Sequence, residues 1–198
     1  RISIVRDFVR TTSAIAWHLL HHSELADPML TGDKKGTLFG RRKLLLWIDT
    51  AGFTDVQPCT LTVFQPFRGE SPVLRKAIWK RKHDFKMLYE FSETQTVDTL
   101  PEPSPTLTIK DKTIDGSCFQ DKLSEVYGLS IPVAWSWHDR PMSMTTDTGS
   151  VGFEFFDASD PQASIRYTWA DHFPPEWQAL SDWFQGMFEW LDDQLHET

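Results

Sequence analysis

Apolar residues recur at helical spacing at both ends of the chain. Near the start, a spacing of about 3.6 residues predicts a helix. Its apolar stripe contains Val5, Phe8, Val9, Thr12, Ile15, Ala16, Leu19 and Leu20. After Pro174 and Pro175 a second stripe predicts a long amphipathic helix. That stripe contains Trp177, Leu180, Phe184, Met187, Phe188, Leu191 and Leu195, with Trp183 and Trp190 beside it.

Apolar and polar residues alternate with period two in the segments 131–137, 151–155 and 165–169. Each segment is apolar on one face only, which predicts an antiparallel sheet that the last helix covers. The apolar run at 44–48 predicts a buried strand, and a second strand is predicted at 60–64. Pro72 then opens a predicted helix through Lys82, before a predicted strand at 85–91. The predicted fold class is α+β: a C-terminal antiparallel sheet covered on one face by a long amphipathic helix, after an N-terminal half of mixed helix and short strands.

Charged residues are distributed unequally between the two halves of the chain. Residues 1–100 contain 15 Lys and Arg against 11 Asp and Glu, a net charge of +4, whereas residues 101–198 contain 5 against 17, a net charge of −12. The proline-rich stretch 96–106 shows neither the helical spacing nor the period of two that marks a strand, which is typical of a stiff linker. The sequence therefore predicts a basic α+β unit at 1–95, a linker at 96–106, and an acidic unit of sheet plus helix at 107–198.

Composition narrows the class of protein. Two cysteines, Cys59 and Cys118, are too few for a disulfide framework, so we expect buried free thiols in a reducing cytosol. No apolar run approaches the roughly 20 residues of a membrane helix, and the first 20 residues lack a signal-peptide pattern. We expect a cytoplasmic protein of bacterial type with no membrane association, and no motif calls for a cofactor.

Three histidines follow the first apolar stripe. His18 and His22 are four residues apart and would flank the stripe on one side of a helix, while His21 would face away. Two histidines at this spacing can hold a metal ion, although Leu19 breaks the HExxH pattern. Histidines half covered at the edge of the core explain the spacing as well. A metal-dependent enzyme using His18 and His22 is therefore an alternative interpretation.

A second group of reactive side chains follows two tryptophans. Trp135 and Trp137 precede His138 and Asp139, where a predicted strand runs into a loop. A carboxylate beside an imidazole can orient it as a general base. The tryptophans are equally typical of the inner face of a sheet, so an acid–base enzyme that uses His138 and Asp139 stays a weak alternative.

Eleven of the fifteen cations of the first half lie in the segments 31–43 and 75–86, with Trp79 among them. Basic residues interleaved with an aromatic ring can bind a nucleic acid. A solvated surface and a docking site for the acidic half of the same chain are the other interpretations, and the net charge of −8 makes a nucleic-acid partner the weakest. The cations that would form such a patch are Lys34, Lys35, Arg41, Arg42, Lys80, Arg81 and Lys82.

The leading interpretation is a non-catalytic interaction protein, such as an inhibitor, immunity or adaptor protein. No catalytic motif is present, nine tryptophans offer interface anchors, and the acidic half would present a negative face to a protein partner. The residues expected at that face lie off the apolar stripes of the two helices: Trp17, Asp182, Glu189, Asp192 and Asp193.

Overall fold

The structure is a computed structural model that describes residues 2–24, 40–49, 56–66, 69–86, 102–130, 149–156, 163–169 and 175–196. Its elements in chain order are α1 (Ile2–His21), β1 (Arg41–Asp49), β2 (Cys59–Gln65), β3 (Val73–Trp79), β4 (Leu107–Thr113), α2 (Gly116–Ser124), a 3₁₀ turn (Glu125–Gly128), β5 (Ser150–Phe156), β6 (Ser164–Trp169), a 3₁₀ turn (Pro175–Trp177) and α3 (Gln178–Gln194). The mixed α+β class predicted from the sequence is confirmed.

One antiparallel sheet contains all six strands, in the order β4-β3-β2-β1-β5-β6. Its central strand, β1, pairs with β2 on one side and with β5 on the other. Strands from both sides of residues 96–106 therefore share one sheet, which the sequence did not predict. The division into units at 1–95 and 107–198 stays a prediction.

The predicted contact between the last helix and the sheet is confirmed. Alternate residues of β1, β2 and β5 form one apolar face with α2 and α3, and Leu46, Leu61, Phe153 and Leu191 are fully buried there. The indole ring of Trp183 packs 5.1 Å from the ring of Phe153. The apolar stripe of α3 folds as predicted because it covers a sheet face that would otherwise contact water.

The opposite face of the sheet is covered as well. Ala16 and Leu20 of α1 are fully buried in a second cluster with Ala77 and Trp79 of β3. The molecule therefore has three layers, with α1 on one side of the sheet and α2 and α3 on the other. The sequence predicted one covered face.

Two local predictions were wrong. The segment 73–79, predicted as part of a helix, is strand β3, and residues 85 and 86, predicted as the start of a strand, are helical. The run that begins at Gly116 forms helix α2, which Asp115 caps by accepting a hydrogen bond from the backbone N–H of Cys118 at 2.8 Å. The predicted strand at 131–137 lies outside the described residues.

Both cysteines are free thiols, but only Cys59 is buried, and Cys118 at the start of α2 is exposed. Burial raises the pKa of the Cys59 thiol to about 11. The expectation of two buried thiols was therefore wrong for Cys118. Among the helices in the described part of the chain, none combines the length and the apolar character needed to cross a membrane.

Candidate functional site: a cleft beside α1 and an acidic helical layer

The floor of a cleft forms where β1 and β5 pair opposite α1. Trp47 of β1 lies directly across from Gly152 of β5. A methyl group at Gly152 would lie 2.4 Å from Cζ2 of Trp47 and 2.3 Å from the carbonyl oxygen of Tyr167. Only glycine leaves room for the indole ring, which is 1% exposed.

Two arginines stack on aromatic rings at this floor. The guanidinium carbon of Arg166 lies 4.6 Å from the ring centre of Trp47, and that of Arg42 lies 4.7 Å from the ring centre of Phe156. Stacking uses the face of a guanidinium group and leaves the N–H groups at its edge available for hydrogen bonds. Glu154 is the residue paired with Arg166 across β5 and β6.

The wall of the cleft is the last part of α1, which the sheet holds by its terminal carbonyl groups. Thr60 donates to the carbonyl of Leu20 at 3.0 Å, and Arg42 donates to that of His21 at 2.9 Å. The buried Arg75 donates to the carbonyl of Ser23 at 2.9 Å. Cationic donors stabilise the negative end of a helix, so this arrangement fixes the position of the helix end and of its histidines.

The space between wall and floor has a volume of about 570 Å³. Trp17 and the three histidines of α1 line one side, and Arg42, Glu154 and Arg166 line the other. We call this space the α1 cleft. Its size lies within the range of small-molecule sites.

His21 is the most buried of the three histidines. Its Nδ1 atom lies 3.1 Å from the carbonyl oxygen of Trp17 and therefore donates to it, and its ring lies 5.2 Å from that of Trp47. Burial lowers the pKa of His21 to about 4, so its imidazole is neutral at pH 7. The sequence predicted that His21 faces away from the apolar stripe of the helix, and in the structure Trp47 reaches from the sheet to His21.

His18 and His22 do lie together, as their spacing predicted, with ring centres 4.9 Å apart. Nδ1 of His22 is 3.7 Å from a carboxylate oxygen of Glu24, and burial followed by the nearby Arg42 lowers the pKa of His22. Within the described ranges, no group of three or more His, Cys, Asp or Glu side chains is arranged to hold a metal ion. The metal interpretation has no third ligand in the part of the chain that the structure covers.

Several cations of the basic segments make ion pairs within the described residues. Arg75 makes a two-point ion pair with Asp111, at 2.7 and 2.8 Å, and Lys76 pairs with Asp192 at 2.5 Å. These two contacts join the basic half to the acidic half, as the internal docking interpretation expected. Trp79 is 1% exposed, so it cannot stack on a nucleic-acid base.

The predicted basic patch itself stays a prediction, and its described members make different contacts. Arg81 pairs with Asp49 at 3.1 Å, and Arg42 contributes to the α1 cleft. The exposed members among the described residues are Arg41, Lys80 and Lys82, while Lys34 and Lys35 lie outside them.

Trp17 is half-buried and lines the α1 cleft. Its indole donates a hydrogen bond to Asp49, which lies on the edge of a second, smaller cavity of about 180 Å³. Burial raises the pKa of Asp49. Trp17 lies at the cleft on the α1 side of the sheet, whereas the other residues predicted for the interaction face lie on α3.

Those other residues belong to a surface on the opposite side of the sheet. Asp182, Glu189 and Asp193 of α3 are exposed, as predicted, whereas Asp192 is half-buried against Lys76. Together α2, α3 and the 3₁₀ turns that adjoin them contain seven carboxylates and one lysine. We call the exposed surface of these four elements the acidic layer.

Some residues of the α1 cleft were not recognised in the sequence. Arg166 and Glu154 appeared only as the polar positions of two alternating strands. The one signal that pointed to the cleft was Gly152 in the middle of an apolar strand, since glycine there marks a close approach of another group. His138 and Asp139, the weak acid–base candidates, lie outside the described residues.

Comparison of the chain with protein-family models, with curated proteins and with solved structures found no match.

Proposed function

We propose that this chain is a non-catalytic interaction protein, of the inhibitor, immunity or adaptor kind, and that its acidic layer binds a basic surface of a protein partner. The observation that supports the proposal is the position of the exposed carboxylates. Those of α2 and α3 lie in one layer, because both helices pack on the same face of the sheet.

Two of the exposed carboxylates of α3 accept hydrogen bonds from neutral amide side chains of the same helix. Gln178 donates to Asp182 at 2.7 Å, and Gln185 donates to Glu189 at 2.9 Å. An amide orients a carboxylate without neutralising it, so the charge stays available to a cationic partner. Lys122, the one lysine of the layer, already pairs with Glu125 at 3.1 Å.

The layer also presents an aromatic side chain. Tyr127, in the 3₁₀ turn after α2, is 75% exposed. Tyrosine is enriched at protein interfaces, where its ring is buried and its hydroxyl group forms hydrogen bonds. Exposed carboxylates would speed the encounter with a basic protein, and Tyr127 would add buried contact area.

Affinity capture from a cell extract tests the proposal when two variants of equal charge are compared. The first carries Asp182→Asn, Glu189→Gln and Asp193→Asn in the acidic layer. The second carries the same three charge changes at exposed carboxylates elsewhere, at Asp7, Glu70 and Glu102.

We expect the wild type and the second variant to capture the same partner, and the first variant to lose it. With the purified partner, the association rate constant of the first variant should fall by about tenfold at low salt, and the difference should shrink at high salt. Equal capture by the two variants would refute the proposal.

A further inference from the structure

The α1 cleft lies on the face of the sheet opposite to the acidic layer, so an inference about it is independent of the proposed function. Its lining carries two arginines and one glutamate. Because Arg42 lies 3.7 Å from the carboxylate of Glu24, Arg166 supplies most of the positive charge. The whole chain has a net charge of −8. A guanidinium group in a concave site of an acidic protein favours a negatively charged ligand.

Arg166 is the residue best placed to bind an anionic group. It is exposed, and its guanidinium carbon lies over the ring of Trp47, 4.6 Å from the ring centre. A guanidinium group held over an aromatic ring can still bind a carboxylate or phosphate through the paired N–H groups at its edge.

Arg42 is more firmly held. One of its nitrogen atoms donates to the end of α1, and another lies 3.7 Å from the carboxylate of Glu24. Its role at the cleft is therefore to fix the wall and to add positive charge. Aromatic and apolar side chains supply the rest of the surface, among them Trp17, Leu45 and Phe156.

From this arrangement we infer that the α1 cleft binds a small planar organic anion, with its carboxylate or phosphate group at the edge of the Arg166 guanidinium and its flat body against Trp17. Glu154 sits beside the anion and weakens its binding.

Isothermal titration calorimetry with simple probes tests the inference on the full chain. Benzoate and phenyl phosphate each carry a flat ring and an anionic group, and they distinguish a carboxylate ligand from a phosphate ligand. Benzyl alcohol and benzylamine carry the ring without the anion, and inorganic phosphate carries the anion without the ring. We expect one of the first two probes to bind at least about tenfold more tightly than the other three.

Variants then locate the bound probe. Arg166→Gln should weaken binding of the preferred probe by about tenfold or more, whereas Arg10→Gln, at an exposed position of α1 outside the cleft, should leave it within about twofold. Glu154→Gln should strengthen binding by about threefold, because a repulsive charge is removed. A gain of affinity cannot come from a damaged fold, so this variant keeps the test valid even if Arg166→Gln is unstable.

The inference is wrong if neither benzoate nor phenyl phosphate binds with a dissociation constant below about 10 mM, or if inorganic phosphate binds as tightly as the preferred probe. It is also wrong if Arg166→Gln and Arg10→Gln have equal effects. Because none of these measurements involves the acidic layer, failure here would leave the proposed protein–protein function untouched.

Discussion

Because of the burial of His21, the stability of this protein depends on pH. Substitution of His21 separates the contribution of this one side chain from that of the other titrating groups. The imidazole lies between the rings of Trp17 and Trp47, 4.8 and 5.2 Å away. Burial is the largest cause that lowers its pKa, and the positive charge of Arg166 and a charged His22 lower it further. The hydrogen bond to Trp17 and the carboxylate of Glu154 act in the opposite direction.

The size of the effect follows from the two pKa values. The unfolded chain takes up a proton at His21 near pH 6.5, and the folded chain only near pH 4. Between these values the unfolded state binds more protons, so the free energy of unfolding falls as the pH falls. One pH unit is worth about 1.4 kcal/mol for one proton, which gives a loss of about 3 kcal/mol between pH 6.5 and pH 4. The loss is absent above pH 6.5 and complete below pH 4.

Urea denaturation of wild type and of His21→Gln at several pH values between 7.5 and 4 measures this quantity. Glutamine can donate the same hydrogen bond but does not titrate, so the wild type should lose about 3 kcal/mol more than the variant over this interval. His83→Gln removes an exposed imidazole and serves as the control, with a pH profile expected to follow that of wild type. Parallel profiles for wild type and His21→Gln would refute the reasoning.

Three further predictions concern packing, a buried ion pair and a thiol. Gly152→Ala should lower the free energy of unfolding by about 3 kcal/mol, because the added methyl group would overlap an indole ring and a backbone carbonyl. Gly186→Ala, with open space around its Cβ position, should raise the free energy of unfolding by about 0.5–1 kcal/mol. Urea denaturation checks both values, and equal effects of the two substitutions would contradict the geometry. Arg75→Ala should lower the free energy of unfolding by about 3–5 kcal/mol in the same assay, since the carboxylate of Asp111 and the carbonyl of Ser23 lose their hydrogen-bond donor. A loss below about 1 kcal/mol would show that the Arg75–Asp111 pair does not stabilise the fold. In native protein treated with a thiol reagent, Cys118 should react first, and Asp115→Asn should accelerate the reaction because the Asp115 carboxylate raises the pKa of that thiol; an unchanged rate would contradict this cause.

Elements with a strong apolar period could be predicted from the sequence, and those that depend on distant charged partners could not. β3 contains Arg75 and Lys76 side by side, in the segment after Pro72 that was predicted as a helix. In the structure Arg75 is 1% exposed and pairs with Asp111, 36 residues away, and Lys76 pairs with Asp192, 116 residues away. A local pattern cannot contain such partners, so a buried strand was predicted as a helix.

The α1 cleft could not be predicted from the sequence for a related reason. Its floor joins Trp47 to Gly152, two residues that meet only because β1 pairs with β5. The helical spacing correctly brought His18 and His22 together, but it could not show that His21 also contacts the sheet, since that contact depends on the length of the Trp47 side chain. The acidic layer was easier to predict, because exposure of Asp182 and Glu189 follows from the stripe of their own helix.

The contacts between the two halves also determine how the two proposed sites relate to each other. Lys76 binds Asp192 on the side of the sheet that carries α3, and Arg75 binds Asp111 on the side that carries α1, so the sheet separates two sets of charges with different partners. A basic protein at the acidic layer and an anion at Arg166 would occupy opposite faces of one hydrogen-bonded sheet. Substitutions at distant sites without shared partners have additive effects on stability and binding, within about 0.5 kcal/mol. In a variant that combines Arg166→Gln with the three carboxylate changes in α3, the affinity for the anion should therefore equal that of Arg166→Gln alone. The affinity for the protein partner should equal that of the three carboxylate changes alone. A difference in either affinity larger than about 0.5 kcal/mol would mean that the sheet couples its two faces.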